Sequence, residues 1–570
     1  MFKNRGIIPA EVEHYLCPTI QDVYNPLYLS NMDEGVKLLA KHIGLGNKIM
    51  VQIDSDCDGF SSAAVLINYL NRLFPHYVQN NIFYRPHGKK HHGLILDTIP
   101  EDVKLVIAPD ASSNEYEIHK TLYDKGIDVL VIDHHQAEKV SDYACVINNQ
   151  LCDYPTKSLS GVGVVYKFCQ YFDKIMNTNY ADDFLDLVSV GMIADVMDLR
   201  DFETHYFVEQ GLDNIINPFL KGLKIKQDHS LKQSGGYTPF GISFYIAPMI
   251  NAVARMGTYE EQILMFEAML EFRAYDTIPS TKRGCKGQIE TRVEQACRNC
   301  TNIKNRQTKA RDNSLEIIEE LIQKNNLLDN KIIIVQLEND MKADENITGL
   351  VANQIMDKYK RPTLILNKII TKDEKNNKVV LWRGSGRGLG EDGLEEFRSF
   401  LENSGYFNLA QGHENAFGVE ISDENLESFI KYSNEVLEGI DFIAPYKVDF
   451  IFDAKAPISK SNILELSSLK RIWGKGIEEP LIAIKNLEIS DENIRLMGSR
   501  NSVLRIDLPS PNEGISVVNL RSSEEEYNDL HLASGCVTIN VVGTCSQNEY
   551  DNNPQIKLKE YKVVRKYYPF

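Results

Sequence analysis

Short apolar runs alternate with amphipathic stretches along the first 200 residues. Runs of strand length that are rich in β-branched residues predict strands at residues 48–54, 81–85, 104–109, 128–133 and 144–148. Between several of them, as at residues 59–73 and 114–125, the spacing of the apolar positions predicts helices. This alternation indicates a parallel sheet covered by helices, so we assign this part of the chain to the α/β class.

The pattern changes twice further along the chain. A strongly apolar stretch predicts a helix over residues 183–199, and a long polar helix is expected over residues 288–325. A strand at 331–336, a helix at 348–359 and a strand at 363–366 then predict a second, smaller α/β unit.

Short alternating strands follow, at residues 481–489, 503–508, 514–520, 536–543 and 555–563. Such closely spaced strands suit a small β-barrel of the OB type. We therefore expect four segments: an α/β domain over 1–280, a basic connector helix over 281–325, a second α/β domain over 326–444 and an OB-like barrel over 445–570.

The composition excludes several classes of protein. Of 570 residues, 43% are hydrophobic and 25% are charged, which excludes disordered and collagen-like chains. No apolar run approaches the roughly 18 residues of a membrane span, and the first residues lack the apolar core of a signal peptide. The ten cysteines suggest no disulfide framework, so we expect a cytoplasmic protein without a membrane partner. A net charge of −18 argues against indiscriminate coating of nucleic acid but leaves a local basic channel open.

Acidic residues and histidines follow three of the predicted strands. The first strand leads into Asp54, Asp56 and Asp58, the third into Asp110, and the fourth into Asp133, His134 and His135. In open parallel sheets, ligands bind beyond the carboxyl ends of the strands. These side chains are therefore expected to meet at one edge of the sheet.

So many carboxylates in one crevice would repel each other unless cations neutralised them. Oxygen and imidazole ligands suit Mn²⁺ or Mg²⁺, and two such ions about 4 Å apart activate water in phosphodiester hydrolysis. Alternatively the acids are solvated loop residues and helix caps; Asp58, for example, could cap the next helix. That alternative explains any one residue well and the coincidence on three strands badly.

Residues 281–311 form a strongly basic segment. Its Lys and Arg residues stand at 282, 283, 286, 292, 298, 304, 306, 309 and 311, against Glu290 and Glu294, which gives a net charge of +7. The segment is either an electrostatic guide for a nucleic-acid strand or a solvated connector helix. Cys285, Cys297 and Cys300 lie in the same stretch, but a single CxxC pair favours ordinary helix cysteines over a zinc site.

These motifs resemble a known family. DSDCDG, then a strand-end aspartate, then DHH resembles the signature of the DHH phosphoesterase superfamily. LSGVGVVYKF, DLVSVGMIADVMDL and APMINAVARMG are similar to successive motifs of the RecJ single-strand-specific exonucleases. RGSGRG and QGHENAFG resemble the DHH-associated domain, and GKGIEEPLIAIKNL resembles the beginning of the RecJ OB-fold. The similarity extends in order over nearly the whole chain.

The resemblance implies a set of metal ligands: Asp56, Asp58, Asp110, His134 and Asp195. Asp110 would bridge two Mn²⁺ or Mg²⁺ ions, and Asp54 would be either a ligand or an acid beside the ligands. Asp133 would orient a histidine through the other ring N–H. His135 would face the scissile phosphate, so these last two residues are candidate catalytic residues.

A second set would hold the substrate: Arg255, Ser385, Arg387 and His413 at the phosphate, and Arg298, Lys304 and Arg306 along the connector helix. Three departures from the family lie beside the expected ligands. Ala–Ser follows Asp110, NAVAR replaces NAAGR, and QGH replaces GGH. They put the fine substrate preference in doubt and leave the metal chemistry intact.

The resemblance implies a metal-dependent exonuclease that degrades single-stranded DNA from 5′ to 3′, releases 5′-mononucleotides and serves DNA repair or recombination. A monomer is expected, with a single-strand-binding protein or a helicase as a candidate partner. One alternative is a DHH phosphodiesterase of short oligonucleotides or cyclic dinucleotides, whose members are typically shorter and lack the barrel. The other is an inactive DNA-binding scaffold, which is disfavoured because such relatives lose acidic ligands that this chain retains.

Overall fold

The computed structural model describes the chain except residues 88–92, 286, 342–346, 373–377, 391–393, 443–445, 499–501, 521, 549 and 569–570. Lys286 of the basic segment and Pro445, the predicted start of the barrel, thus lie outside the described residues. The chain forms two compact units, one made of residues 1–300 and 447–570, the other of residues 301–446. The four segments expected from the sequence remain a prediction.

A parallel sheet organises the N-terminal part of the first unit. Its strands are β1 Lys48–Ile53, β2 Ile82–Pro86, β3 Val103–Pro109, β4 Asp128–Asp133 and β5 Cys145–Asn148, in the order β2-β1-β3-β4-β5. Every neighbouring pair is parallel. β1, β3 and β4 are almost entirely buried, as strands covered by helices on both faces must be. The predicted α/β class is confirmed.

Helices alternate with these strands and follow them, and a short ribbon of β6 Thr277–Pro279 and β7 Ile289–Thr291 precedes the last helix, which continues from the first unit into the second. The helices are α1 Val12–Leu16, α2 Met32–Gly44, α3 Cys57–Leu73, α4 Pro75–Asn81, α5 Tyr116–Asp124, α6 Gly161–Met176, α7 Leu185–Ala194, α8 Phe202–Asp213, α9 Pro218–Lys226, α10 Asp228–Gln233, α11 Pro239–Gly241, α12 Ala247–Met256, α13 Tyr259–Met269 and α14 Arg292–Lys324. A π-helical turn, Ile242–Ile246, joins α11 to α12.

Two helix predictions are wrong at their ends. The helix expected over residues 183–199 ends at Ala194, because Asp195 leaves the helical conformation and Val196 adopts a left-handed backbone with φ of 60°. Asp195 therefore does not lie inside an apolar helix. The helix expected from residue 288 begins at Arg292, because Ile289–Thr291 pair with β6 instead.

The second unit contains a mixed sheet of the order β11-β12-β10-β9-β8. Its strands are β8 Ile333–Leu337, β9 Thr363–Lys372, β10 Lys378–Arg387, β11 Phe407–His413 and β12 Ala416–Ser422, and its helices are α15 Thr348–Tyr359, α16 Phe397–Ser404 and α17 Asp423–Val436. β8 and β9 are parallel, and the other neighbours are antiparallel. The predicted second α/β unit is thus present.

The C-terminal part of the first unit is built on a sheet of the order β13-β14-β18-β19-β17-β16-β15. Its strands are β13 Phe450–Asp453, β14 Leu481–Ser490, β15 Ile494–Met497, β16 Val503–Asp507, β17 Ser516–Asn519, β18 Cys536–Gln547 and β19 Pro554–Tyr567, with helices α18 Lys460–Ser468 and α19 Glu524–Leu530. The sequence missed β13 and β15. Among the described strands the sheet does not close on itself.

No described helix combines the length and the apolar character that a membrane span requires.

Candidate metal centre

Asp54 and Asp56 are positioned by the turn from β1 into α3. Asp54 directly follows the strand and is buried. Asp56 is the N-cap of α3, because its Oδ1 accepts a hydrogen bond from the amide of Gly59 at 3.0 Å. The cap is therefore Asp56 and not Asp58, which was the alternative reading of that residue. Asp58 lies in the first turn of the helix with 2% of its surface exposed.

Asp110 enters from the end of β3 in a left-handed backbone conformation, with φ of 67°. Its amide donates a hydrogen bond of 2.8 Å to the carbonyl of Ile132 on the neighbouring strand β4. Gly161, the first residue of α6, lies so close that a Cβ atom there would be 2.2 Å from Asp110 Oδ1. The glycine leaves room for the carboxylate at the sheet edge.

The ligand atoms of the centre lie close enough together for several of them to bind the same cation. Ligand atoms lie within 4.8 Å of one another in three groups: Asp54, Asp56 and Asp110; Asp58, His134 and Asp195; and Asp110, His134 and His135. His134 Nε2 is 3.3 Å from Asp110 Oδ1 and 3.4 Å from Asp195 Oδ2. The structure thus brings together every residue that the sequence predicted as a metal ligand.

Burial and mutual repulsion govern the protonation of these acids. Burial, followed by the charge of Asp56, raises the pKa of Asp58 to about 7. Burial and the neighbouring carboxylates also raise the pKa of Asp110 and that of Asp195 well above the usual range. A divalent cation among these carboxylates would offset both the burial and the mutual repulsion that disfavour their charged forms.

Three buried oxygens of the centre, Asp58 Oδ2, Asp110 Oδ1 and Asp195 Oδ2, accept no hydrogen bond from the described part of the chain. Buried acceptors are normally satisfied, so oxygens that converge in this way indicate a missing ligand. Carboxylate oxygens with one or two imidazoles match Mn²⁺ or Mg²⁺ better than zinc, which favours thiolates. The donor set therefore fits the cofactor expected from the sequence.

Asp133 holds His135 in place. Its Oδ1 accepts hydrogen bonds from the His135 ring Nδ1 at 2.8 Å and from the His134 amide at 2.7 Å, and its Oδ2 accepts from the Ser113 amide at 3.1 Å. Burial opposes ionisation of Asp133, but the bond from His135 and the charge of both histidines lower its pKa. Burial likewise disfavours the His135 cation, yet Asp133 raises the pKa of His135 to about 9.

Three further side chains support the centre and were not singled out from the sequence. His87 is 1% exposed, with Nδ1 at 3.1 Å from Asp54 Oδ1. Ser160 Oγ donates to Asp58 Oδ1 at 2.9 Å, and Asn251 Oδ1 accepts from the amide of Cys57 at 2.8 Å. Ser160 and Asn251 lie within motifs already noted, LSGVG and NAVAR, whereas no sequence signal marks His87.

The predicted substrate-binding residues lie in both compact units. In the first, Arg255 is exposed on α12, and Arg298 forks onto Glu290 while also donating to Thr281 Oγ1 at 3.0 Å. In the second unit, Lys304 donates a hydrogen bond to Gln307 at 2.9 Å, and Arg306 is exposed. Ser385 Oγ lies 3.0 Å from Thr348 Oγ1. Arg387 donates a hydrogen bond to the Gly386 carbonyl at 2.7 Å. His413 ends β11. Their roles in substrate binding stay predictions.

Acidic neighbours partly neutralise the basic segment. Besides the Arg298–Glu290 pair, Arg292 lies 3.3 Å from Glu267, and Arg311 lies 2.6 Å from Asp312. Cys297 and Cys300 are buried on α14, and no cluster of metal-binding side chains in the described ranges includes a cysteine.

Comparison with known proteins gives two matches to family models. Residues 48–192 match the N-terminal domain of the DHH family, and residues 452–560 match the RecJ OB domain. The first match contains the five strands of the parallel sheet and the acids of the centre except Asp195. The second assigns an OB identity to the C-terminal sheet.

The chain is also similar to whole proteins. It is 38% identical over 573 residues to YorK, an SPbeta prophage-derived protein of Bacillus subtilis (strain 168) with the provisional name single-strand DNA-specific exonuclease, covering 99% of this chain and 96% of that protein. It is 24% identical to the single-stranded-DNA-specific exonuclease RecJ of the same organism, over 98% of this chain and 67% of the relative.

Among solved structures, RecJ of Thermus thermophilus in complex with Mn²⁺ matches with a TM-score of 0.68 at 19% identity. The match covers 100% of this chain and 75% of the other. At that identity the likeness shows a shared fold.

Proposed function

Because the chain belongs to the RecJ-like exonucleases of the DHH family, we propose that it hydrolyses the phosphodiester bonds of single-stranded DNA with the help of divalent cations. One observation carries this proposal: carboxylates and imidazoles from three parallel strands and the end of α7 form three overlapping groups at one edge of the sheet, and the ligand atoms within each group lie within 4.8 Å of one another. Such a cluster supports phosphodiester hydrolysis, which needs charge neutralisation at both the attacking and the leaving oxygen.

One carboxylate, that of Asp110, is shared by two groups of candidate ligands. Asp110 belongs both to the group with Asp54 and Asp56 and to the group with His134 and His135, which supports the proposal that it bridges two cations. Divalent cations supply, when bound, activation of water and neutralisation of the phosphate charge. The chain contributes the spacing of the ligands and the buried setting that strengthens their charges.

His135 and Asp133 act on the substrate side in this proposal. About half of the His135 side chain, 47%, is exposed, while Asp133 is buried beneath it. When the ring is protonated on both nitrogens, it can donate a hydrogen bond to a non-bridging phosphate oxygen. Asp133 keeps the ring oriented and favours its charged form.

Arg255, Arg387, Ser385 and His413 are proposed to grip phosphates, with Arg298, Lys304 and Arg306 guiding the strand. Arginine holds a phosphate bidentately and reads no sequence, which suits an enzyme that degrades any strand. We further propose that the enzyme degrades the strand from 5′ to 3′ and releases 5′-mononucleotides. Its proposed role is in DNA repair or recombination in the cytoplasm. We propose that it acts as a monomer, with a single-strand-binding protein or a helicase as partner. These finer points rest on likeness to RecJ proteins.

Hydrolysis of short oligonucleotides or cyclic dinucleotides is the second candidate function. The OB domain favours a long strand, because an OB groove engages several nucleotides. An inactive scaffold is disfavoured because the full ligand set is present at the sheet edge.

The test is a comparison of substrates. The protein with Mn²⁺ is incubated with end-labelled single strands, duplexes, RNA and cyclic dinucleotides, and initial rates are measured. Single-stranded DNA is expected to react fastest and to yield mononucleotides from a label at one end only. Faster hydrolysis of cyclic dinucleotides would support the second candidate, and no hydrolysis of any substrate would support a scaffold.

A further inference from the structure

An exposed aromatic pair lies on the helical segment formed by residues 239–256. The rings of Phe240 and Phe244 stack with centroids 4.4 Å apart and planes inclined by 27°. Phe240 is 47% exposed and Phe244 is 62% exposed. Phenylalanine is among the side chains most often buried, so two neighbouring exposed rings indicate a binding surface.

The same segment contacts the metal centre further along. Asn251 accepts the hydrogen bond from the Cys57 amide, next to the ligand loop, and Arg255 is exposed one turn later. Phe244 follows Phe240 by four residues, Asn251 follows Phe244 by seven, and Arg255 follows Asn251 by four. Asn251 is half-buried, and the other three are exposed. Residues 246, 247, 249, 250 and 252–254 are buried, so the exposed and half-buried positions share the outer side of the segment across the π-helical turn. This exposed side leads from the metal centre to the aromatic pair.

The length of that exposed side can be compared with a nucleic-acid strand. Seven residues separate Asn251 from Phe244 and eleven separate it from Phe240, which at 1.5 Å per residue is about 10 Å and about 16 Å. Bases stacked about 3.4 Å apart would cover this distance with about three to five nucleotides. A strand with its terminal phosphate at the metal centre would thus bring its next bases to the rings.

The other side of the aromatic pair borders the OB domain within the same compact unit. Pro239 lies against Gly474, where a Cβ atom would come within 3.3 Å of the proline Cβ. The amide of Leu199, in the segment that follows Asp195, donates to the Lys475 carbonyl at 2.9 Å. The pair therefore lies between the metal centre and the domain that the family model identifies as an OB domain.

Lysines of the OB domain approach the loop next to the pair. Lys557 Nζ is 3.5 Å from the carbonyl oxygen of Gln233, and the Lys470 side chain is 2.9 Å from where a Cβ on Gly235 would be. This loop packs on Gly241, directly after Phe240. Lysines one loop away from the rings favour a ligand that carries both bases and phosphates, as a single strand does, over an apolar peptide.

We propose that Phe240 and Phe244 form a base-stacking platform for single-stranded DNA between the metal centre and the OB domain. The proposal rests on the function proposed above and adds a site to it. Stacking on the platform holds the strand without reading its sequence, because every base has a π-face. The platform acts in substrate binding and takes no part in bond cleavage.

The test compares the double variant Phe240→Ala/Phe244→Ala with Tyr123→Ala/Tyr143→Ala. The control removes another aromatic pair of the first unit, whose rings lie 5.5 Å apart at 57° and whose Tyr123 is 59% exposed. With strands long enough to reach the rings, the phenylalanine variant should raise KM about tenfold and leave kcat unchanged. Its hydrolysis of a dinucleotide, and all activities of the control, should match the unaltered protein.

Two further measurements separate stacking from general apolar contact. Phe240→Leu/Phe244→Leu keeps apolar surface without a π-face and should raise KM as the alanine variant does. A strand with abasic sites at its third to fifth nucleotides (the stretch of about three to five estimated from the helical rise) should bind the unaltered protein weakly, with no additional loss in the alanine variant. An unchanged KM, or full rescue by leucine, overturns the platform and favours a protein-docking surface.

Strand binding without metal, measured by fluorescence anisotropy in EDTA, keeps this test independent of catalysis. If the unaltered protein cleaves no substrate but the phenylalanine variant binds the strand more weakly than it does, the platform is upheld and the exonuclease function is rejected. Normal binding and normal KM in a protein that degrades DNA would reject only the platform.

Discussion

Gly161 and Asp110 are in closer contact than a side chain on residue 161 would allow, since a Cβ atom there would lie 2.2 Å from Asp110 Oδ1. The same Cβ would lie 2.5 Å from Asp110 Cβ, so a rotation of the carboxylate does not relieve the clash. The start of α6 therefore sets the position of the carboxylate proposed to bridge the cations.

Gly161→Ala should lower the hydrolysis rate about a hundredfold, because displacement of a reacting group by about 1 Å has that effect. Initial rates on single-stranded DNA at saturating Mn²⁺ measure this. Gly44→Ala is the matched control, since a Cβ on Gly44 meets no atom of the described residues within 4 Å. Equal activity of both variants would show that Asp110 tolerates displacement.

Asp110→Ala should abolish hydrolysis while single-strand binding in EDTA persists. Loss of the shared carboxylate removes a ligand from two of the three candidate groups at once. Rates and anisotropy are measured on the same preparation, with Glu117→Ala, a change at an exposed acid of α5, as control. More than a trace of activity at saturating Mn²⁺ would contradict the bridging role.

Lys304→Glu/Arg306→Glu should weaken the binding of long strands and flatten its dependence on salt. Removal of one phosphate interaction is expected to reduce the slope of log affinity against log salt concentration by about one. Lys120→Glu/Lys125→Glu introduces the same charge change on exposed residues near α5 and should leave the slope as it is. A slope unaffected by the first variant would make α14 a connector alone.

Arg298 is grouped with Lys304 and Arg306 as a residue that guides the strand, but its guanidinium forms an ion pair with Glu290, so charge reversal there should have a different effect. Arg298→Glu would place two carboxylates together and disturb the β6–β7 ribbon. It should therefore lower the thermal midpoint, whereas the Lys304 and Arg306 variant should not. Differential scanning calorimetry of the two variants makes the comparison, and equal midpoints would contradict it.

Lys167→Met should destabilise the first unit by about 3–5 kcal/mol, because it leaves a buried charge uncompensated. Lys167 and Glu203 are both fully buried, 2.8 Å apart, and Tyr154 donates to the same carboxylate at 2.8 Å. Denaturant midpoints measure the loss. Lys167→Met/Glu203→Gln should recover most of it, and failure to do so would indicate lost packing instead of lost charge pairing.

The buried ring of His205 should make stability depend on pH. It stacks on Tyr15 with centroids 4.1 Å apart, and burial lowers its pKa from 6.5 to about 4. Since the folded protein favours the neutral ring, its contribution is complete above pH 6.5 and is lost as the pH falls towards 4.

Unfolding free energies of the unaltered protein and of His205→Phe, measured between pH 7 and pH 4 (the window set by a lowered histidine pKa), isolate this effect. The difference between them should change by up to about 1.4 kcal/mol per pH unit, in favour of the variant at low pH. A constant difference would mean that the folded protein protonates His205 as readily as the unfolded chain does.

The parallel sheet and its acidic edge were predictable from the sequence. β1, β3 and β4 are buried on both faces, so their apolar runs are continuous and end where polar residues begin. The order of strand, then acid, is local information. Because parallel strands share one carboxyl end, the convergence of Asp54, Asp110 and His134 followed from that order.

Helix ends and long-range contacts were not predictable in the same way. Apolar periodicity continued past Ala194, but the chain leaves the helix there and delivers Asp195 to the centre. His87 and Asn251 lie 33 and 194 residues from their partners Asp54 and Cys57. No pattern of nearby residues encodes such contacts, because they depend on how distant segments pack.

The sequence by itself thus determined the fold class, the identity of the acids and their placement at one edge of the sheet. Only the tertiary structure decided which oxygens accept no hydrogen bond from the described residues, which histidine Asp133 holds, that Glu290 engages Arg298, and that Phe240 and Phe244 face solvent. Hydrophobic pattern is a property of neighbouring residues. Burial and charge pairing depend on every element packed around a side chain, and residues distant in sequence supply most of them.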